Sequence, residues 1–103
     1  MSAQPSNDPR YQPMKPQDAK LLARSIVETG MVEVSAHAET EMANDDLQVT
    51  DCINMLRAGV FGGPEPHDNE IRYRVETARM CVVITFRSAD RVRIVTAWRK
   101  RGK

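Results

Sequence analysis

A chain of 103 residues, 41% hydrophobic and 28% charged, has the composition of one small globular domain with a modest core, which excludes a second domain of similar size. No stretch approaches the roughly eighteen apolar residues that cross a bilayer, and Met1 leads into no signal-peptide core, so a cytoplasmic protein without a membrane partner is expected. The formal net charge of +1 hides a division along the chain: residues 1–69 carry five Lys/Arg against eleven Asp/Glu, a net of −6, whereas residues 70–103 carry ten against three, a net of +7. Eight of those ten cations are Arg, whose planar fork suits phosphate, so the anionic partner implied is nucleic acid or an acidic protein.

The first sixteen residues hold Pro5, Pro9, Pro13 and Pro16 among Ser, Asn, Asp and Gln, with no helical or strand period. They predict a disordered arm over 1–16, followed by one α+β domain over 17–103. Order is expected to begin near Pro16, where Ala19, Leu22, Ala23 and Ile26 follow helical spacing and Gly30 stands as the terminating glycine. Met31 to Val34 is a short extended piece, and Ser35 caps a helix over Ala36 to Ala43. After Asn44-Asp45-Asp46, Thr50 is expected to cap another helix, with Asp51 in its first turn, Ile53, Leu56 and Val60 on its apolar stripe and Gly59 at its end. Gly62-Gly63-Pro64 opens a loop that runs to about Asn69.

From Ile71 the apolar period changes from about 3.6 residues to 2, which predicts a three-stranded meander. Phe86 should oppose Val92 across Ser88 to Asp90, and Val75 should oppose Met80 around Thr77-Ala78. Strict alternation then collects Ile71, Tyr73, Val75, Met80, Val82, Ile84, Phe86, Val92, Ile94 and Trp98 on a helix-covered face, with Trp98 buried. The other face collects Arg72, Arg74, Arg79, Arg87, Arg91, Arg93 and Arg99 around Cys81, Val83, Val95 and Ala97. A basic sheet face with an apolar centre suits an RNA backbone, and is otherwise a solvated face whose arginines discourage edge pairing.

Cleavage of RNA by protein groups alone needs a base for the 2′-hydroxyl, cations for the phosphate and an acid for the leaving oxygen. His37, with Glu41 one turn on, and His67, beside Asp68, are the candidates for proton transfer. Each has a plain alternative: a helix-start residue bonded to backbone or Glu41, and a mobile loop residue. Cys52 and Cys81 lack CxxC spacing and read as reduced structural thiols; with the two histidines they form no recognised zinc pattern, so neither metal nor cofactor is expected.

Ser35-Ala36-His37-Ala38, Met42, the segment Thr50 to Gly59 and the closing Thr96-Ala97-Trp98-Arg99 resemble a family of small bacterial proteins classed as a domain of unknown function, over roughly residues 33–99. Its members open on an S-x-H-A-x-x-R-M helix and close a β-meander on T-A-[WY]-R; Glu41 stands where that helix carries Arg, so any contact of that Arg is lost or moved. The order of elements is similar to the RelE/MqsR-type toxin superfamily. That resemblance implies a RelE-like fold, a helix-turn-helix antitoxin as partner, and cleavage of messenger RNA without metal, free or on the ribosome. Roles are therefore assigned by chemistry: Arg72, Arg74, Arg79, Arg87, Arg93 and Arg99 on RNA, with His37, Tyr73 and Arg74 in catalysis. Parity puts Tyr73 on the covered face, from which its hydroxyl reaches the active side only at a sheet edge. The alternative function is a non-catalytic module that binds RNA or an acidic protein through the arginine face.

Overall fold

The computed structural model describes residues 8–101, so the first seven positions of the expected arm lie outside the described residues. Helix α1 (Pro16–Thr29) has Pro at its first position, where the missing N–H costs nothing, and buries Ala19, Ala23 and Ile26. Gly30 ends it: a Cβ there would overlap the Asp90 carbonyl, which accepts from the Met31 N–H at 2.9 Å. Strand β1 (Met31–Val34) follows, and Ser35 caps helix α2 (Ala36–Asn44) by accepting the Ala38 N–H at 3.0 Å. Helix α3 (Val49–Ala58) starts earlier than Thr50, with Gln48 as its N-cap and the Gln48 N–H donated to the Asp51 carboxylate at 2.8 Å. It ends at Gly59 as expected, but Val60 belongs to the next strand and is exposed.

Strands β2 (Val60–Phe61), β3 (Glu65–His67), β4 (Glu70–Glu76), β5 (Met80–Ser88) and β6 (Arg91–Arg99) complete an α+β fold of three helices on one face of a mostly antiparallel, six-stranded sheet. The strand order is β1-β6-β5-β4-β2, with β3 also paired to β4. The short extended piece expected at Met31 to Val34 is a strand of the sheet, and a further strand arises inside the expected loop after Gly62. Met31–Val34 pairs in parallel with β6, Val32 beside Val92 and Val34 beside Ile94. Glu65–His67 forms a hairpin with β4 through Asp68-Asn69, its Pro66 tolerated on a short edge strand. Among the described residues no helix is long and apolar enough to cross a membrane.

The described part of the expected arm makes defined contacts. Tyr11 and Gln12 donate to the Asp8 carbonyl at 3.0 and 3.1 Å, Pro9 is buried, and the Met14 N–H donates to the Tyr73 hydroxyl at 2.9 Å. A buried phenol needs a partner for its oxygen, and this one finds it in the backbone leading into α1.

In the sheet, Val75 opposes Val82 rather than Met80; the even slip of two residues leaves both on the covered face. Phe86 opposes Val92 as expected, but strict alternation fails further along β6. Ile84 pairs with Ile94 and Val83 with Thr96, so Val95 is an extra residue in a β-bulge. Beyond it, Ala97 and Arg99 turn to the helices, and Thr96 and Trp98 turn to the open face, reversing the expected sides of Ala97, Trp98 and Arg99. The cause lies in α2: Ser35 donates its N–H to the Ile94 carbonyl at 3.0 Å and its hydroxyl to the Val95 carbonyl at 2.9 Å, so the helix start itself holds the bulged backbone. Ala97, fully buried, leaves room for α2 to lie against β6, where a Trp would hold it off.

Candidate nucleic-acid interface

The open face of the sheet is built from alternating positions of four strands. Arg72 and Arg74 come from β4, Cys81, Val83 and Thr85 from β5, Arg93, Thr96 and Trp98 from β6, and Glu33 from β1. The start of α2 adds His37 at one side, and the β3–β4 hairpin adds Glu65 and His67 at the other. Three clefts open on these residues. The first, about 390 Å³, is lined by Ser35, His37, Glu70, Arg72, Arg93, Val95 and Thr96. The second, about 360 Å³, lies among His67, Asp68, Asn69, Glu70, Arg72 and Arg87. The third, about 240 Å³, is lined by Glu65, Pro66, His67, Arg72, Arg74, Val83, Thr96 and Trp98. Arg72 belongs to all three.

The face carries carboxylates among its arginines. Glu33 reaches it through the parallel β1–β6 pair and lies 3.3 Å from Arg93 Nε and 3.2 Å from Arg91 Nη1. Glu70 lies 2.7 Å from Arg72 Nε. Lys100 Nζ donates to Glu76 at 2.7 Å, and this hydrogen bond holds the Glu76 carboxyl below its ordinary range. Arg74 and Arg87 have no carboxylate within pairing distance among the described residues, and Arg74 instead lies over the Trp98 ring, 6.0 Å from its centroid.

Four of the six expected RNA contacts, Arg72, Arg74, Arg87 and Arg93, thus share the open face. Arg79 is set apart in the β4–β5 turn, where its backbone N–H donates to Thr77 Oγ1 at 3.2 Å. Arg99 lies on the helix side: its Nε donates to the Asp45 carbonyl and its Nη2 to the Asp46 carbonyl, each at 3.1 Å. Of the expected catalytic trio, His37 and Arg74 line clefts, but Tyr73 is fully buried on the helix-covered face with its hydroxyl held by Met14. Burial raises the phenol's pKa, so it stays protonated, and no sheet edge brings it to the open side.

His37 is the second residue of α2, exposed, and its ring makes no hydrogen bond among the described residues, so the expected bond to Glu41 is absent. His67 closes β3, its Nδ1 3.5 Å from Asp68 Oδ2, with Asp68 in a left-handed conformation (φ 54°) that makes the tight turn into β4. Cys52 is buried among the helices and Cys81 in the open face, so the sheet separates the four side chains weighed as zinc ligands. Burial pushes both thiols up to about 11, which keeps them neutral and poorly nucleophilic.

What this site can do follows from its groups: guanidiniums bind phosphate, and two imidazoles on either side of Arg72 can move protons. Trp98, Thr96 and Glu33 were missed by sequence reasoning, the first two because a bulge leaves no trace in an alternating pattern. Scanned against protein-family models, curated proteins and solved structures, the chain matches none of them.

Proposed function

We propose that the open sheet face binds single-stranded RNA and that the protein is a toxin-like endoribonuclease working through its own side chains. The observation that carries this reading is Arg72 on the wall common to the clefts, with His37 in the cleft on one side and His67 in those on the other. One imidazole takes the proton of a 2′-hydroxyl, and that oxygen attacks the adjacent phosphorus. The 5′-oxygen departs with a proton from the other, protonated imidazole, leaving a 2′,3′-cyclic phosphate and a 5′-hydroxyl. Arg72 and Arg93 stabilise the charge that builds on the phosphate oxygens as the bond breaks. As a toxin it would be paired with a helix-turn-helix antitoxin and meet its message free or on the ribosome.

Single-turnover cleavage of a defined RNA in EDTA tests this. Wild type should cut, with a bell-shaped pH profile, and His37→Gln should lose roughly 10²–10⁴-fold in rate while remaining folded. Full activity in both His37→Gln and His67→Gln would reduce the histidines to structural residues. A second reading, a non-catalytic module for RNA or an acidic protein, is favoured by one observation: among the described residues no hydrogen bond orients the His37 ring, whereas proton-transfer groups are usually held by a partner. Induced expression separates the two. A ribonuclease toxin arrests growth and degrades message; a binding module does neither.

A further inference from the structure

The third cleft differs from its neighbours in having an aromatic wall. Thr96, Val83 and Arg74 form one rung across β6, β5 and β4, so Val83 makes an apolar floor at the middle of the sheet. Trp98 stands one rung further along β6, half-buried, with the Arg74 guanidinium at 6.0 Å, the far limit of a useful cation–π contact. Pro66 and His67 of the β3 hairpin close the other side. At about 240 Å³ the cleft is smaller than the roughly 300–1,000 Å³ of sites for drug-sized ligands, and so suits one planar ring system.

We infer that this cleft is a slot for a single unpaired nucleobase, stacked on the Trp98 ring, with Arg74 transferred from the ring to the flanking phosphate. The inference rests on the RNA reading above and narrows it to single strands, because a base inside a duplex has both faces covered and cannot present one to Trp98. The apolar floor contributes no hydrogen bonds, as stacking requires none. The long Arg74–Trp98 contact costs little to give up, and the guanidinium has no carboxylate partner to leave among the described residues.

Trp98 is the chain's only tryptophan, so its fluorescence reports the slot directly. Wild type is titrated with a short 2′-O-methyl RNA strand, which cannot be cleaved, and with the same strand annealed to its complement. The single strand should quench Trp98 and the duplex should not. Trp98→Leu should weaken the single strand by about 5- to 150-fold, the equivalent of one lost base stack, and Trp98→Phe should recover most of it. Equal urea midpoints for Trp98→Leu and Trp98→Phe separate loss of the ring from loss of the fold; if Trp98→Leu fails to fold, the wild-type quench and Trp98→Phe decide. Binding of the single strand with unchanged emission overturns the slot and leaves the arginine face standing. Binding of neither RNA removes the RNA reading itself, and the slot with it.

Discussion

Arg99 ties down the turn that follows α2. The carbonyls of Glu41, Met42 and Ala43 at the helix end accept from the N–H groups of Asp45, Asp46 and Leu47, and just past it the guanidinium donates to the Asp45 and Asp46 carbonyls while the Arg99 N–H donates to the Asp45 carboxylate at 2.8 Å. Asp46 is in the left-handed region (φ 56°), where the chain leaves the helix. Arg74, of the same residue type, is exposed, and its guanidinium makes only the long contact with the Trp98 ring. The two should therefore part company on mutation. Arg99→Ala is expected to cost about 1–2 kcal/mol in urea denaturation with RNA affinity equally salt-dependent. Arg74→Ala should leave the midpoint in place and reduce the slope of log K against log salt by about 0.7, the share of one phosphate contact on a single strand. Equal stability losses in both variants would contradict the assignment of Arg99 to the helix side.

At the scale of elements, Ser35 joins two structures with one hydroxyl. It accepts from α2 and donates to the bulge of β6. Ser35→Ala should lose about 1–2 kcal/mol, at the upper end of the range for an N-cap, because the Val95 carbonyl is orphaned as well. It should also shift Trp98 emission, as the strand beyond the bulge loosens; an unchanged spectrum would mean that the hydroxyl does not hold the bulge. Local chemistry made much of this legible in the sequence. Pro16 through its missing N–H, Gly30 and Gly59 through their lack of a Cβ, and Ser35 through its hydroxyl mark helix ends, and alternation fixes the sides of Tyr73, Val75, Val82 and Ile84. What was hidden depends on partners distant in sequence. The parallel pairing of β1 with β6 needs residues about sixty apart, and the Glu65–His67 strand exists only against β4. The sides of Ala97, Trp98 and Arg99 were misread for the same reason, since the serine that stabilises the bulge lies in another element. The sequence places Arg72, Arg74, Arg87 and Arg93 on one face and singles out His37 and His67, all of which line the clefts; it does not place Trp98 there.

For the whole molecule, charge and burial act in different pH ranges. Cys52 and Cys81 titrate near 9.0 in an unfolded chain and are pushed up to about 11 by burial, and Tyr73 is also raised. The folded protein thus holds protons that the unfolded one releases. The stability this represents is fully present below about pH 9 and is lost as pH climbs towards 11. Urea midpoints should be flat from neutrality to about pH 9 and then fall, with both thiols resisting alkylation until denaturant is added. A thiol that alkylates readily in the native protein at pH 8 would show that its burial is breached. Salt should weaken the RNA binding proposed for the arginine face long before it affects folding.

Val95 does to β6 what one inserted nucleotide does to a reading frame. Every side chain before it keeps its phase, and every side chain after it changes inside for outside, although no other letter differs. Substitution anywhere in Thr96-Ala97-Trp98-Arg99 can alter what a face presents, whereas the extra residue that Ser35 holds decides which face each letter serves. One residue removed ahead of Thr96 would therefore turn Trp98 to the helix side and take the aromatic wall from the open face, with the closing tetrapeptide itself unchanged.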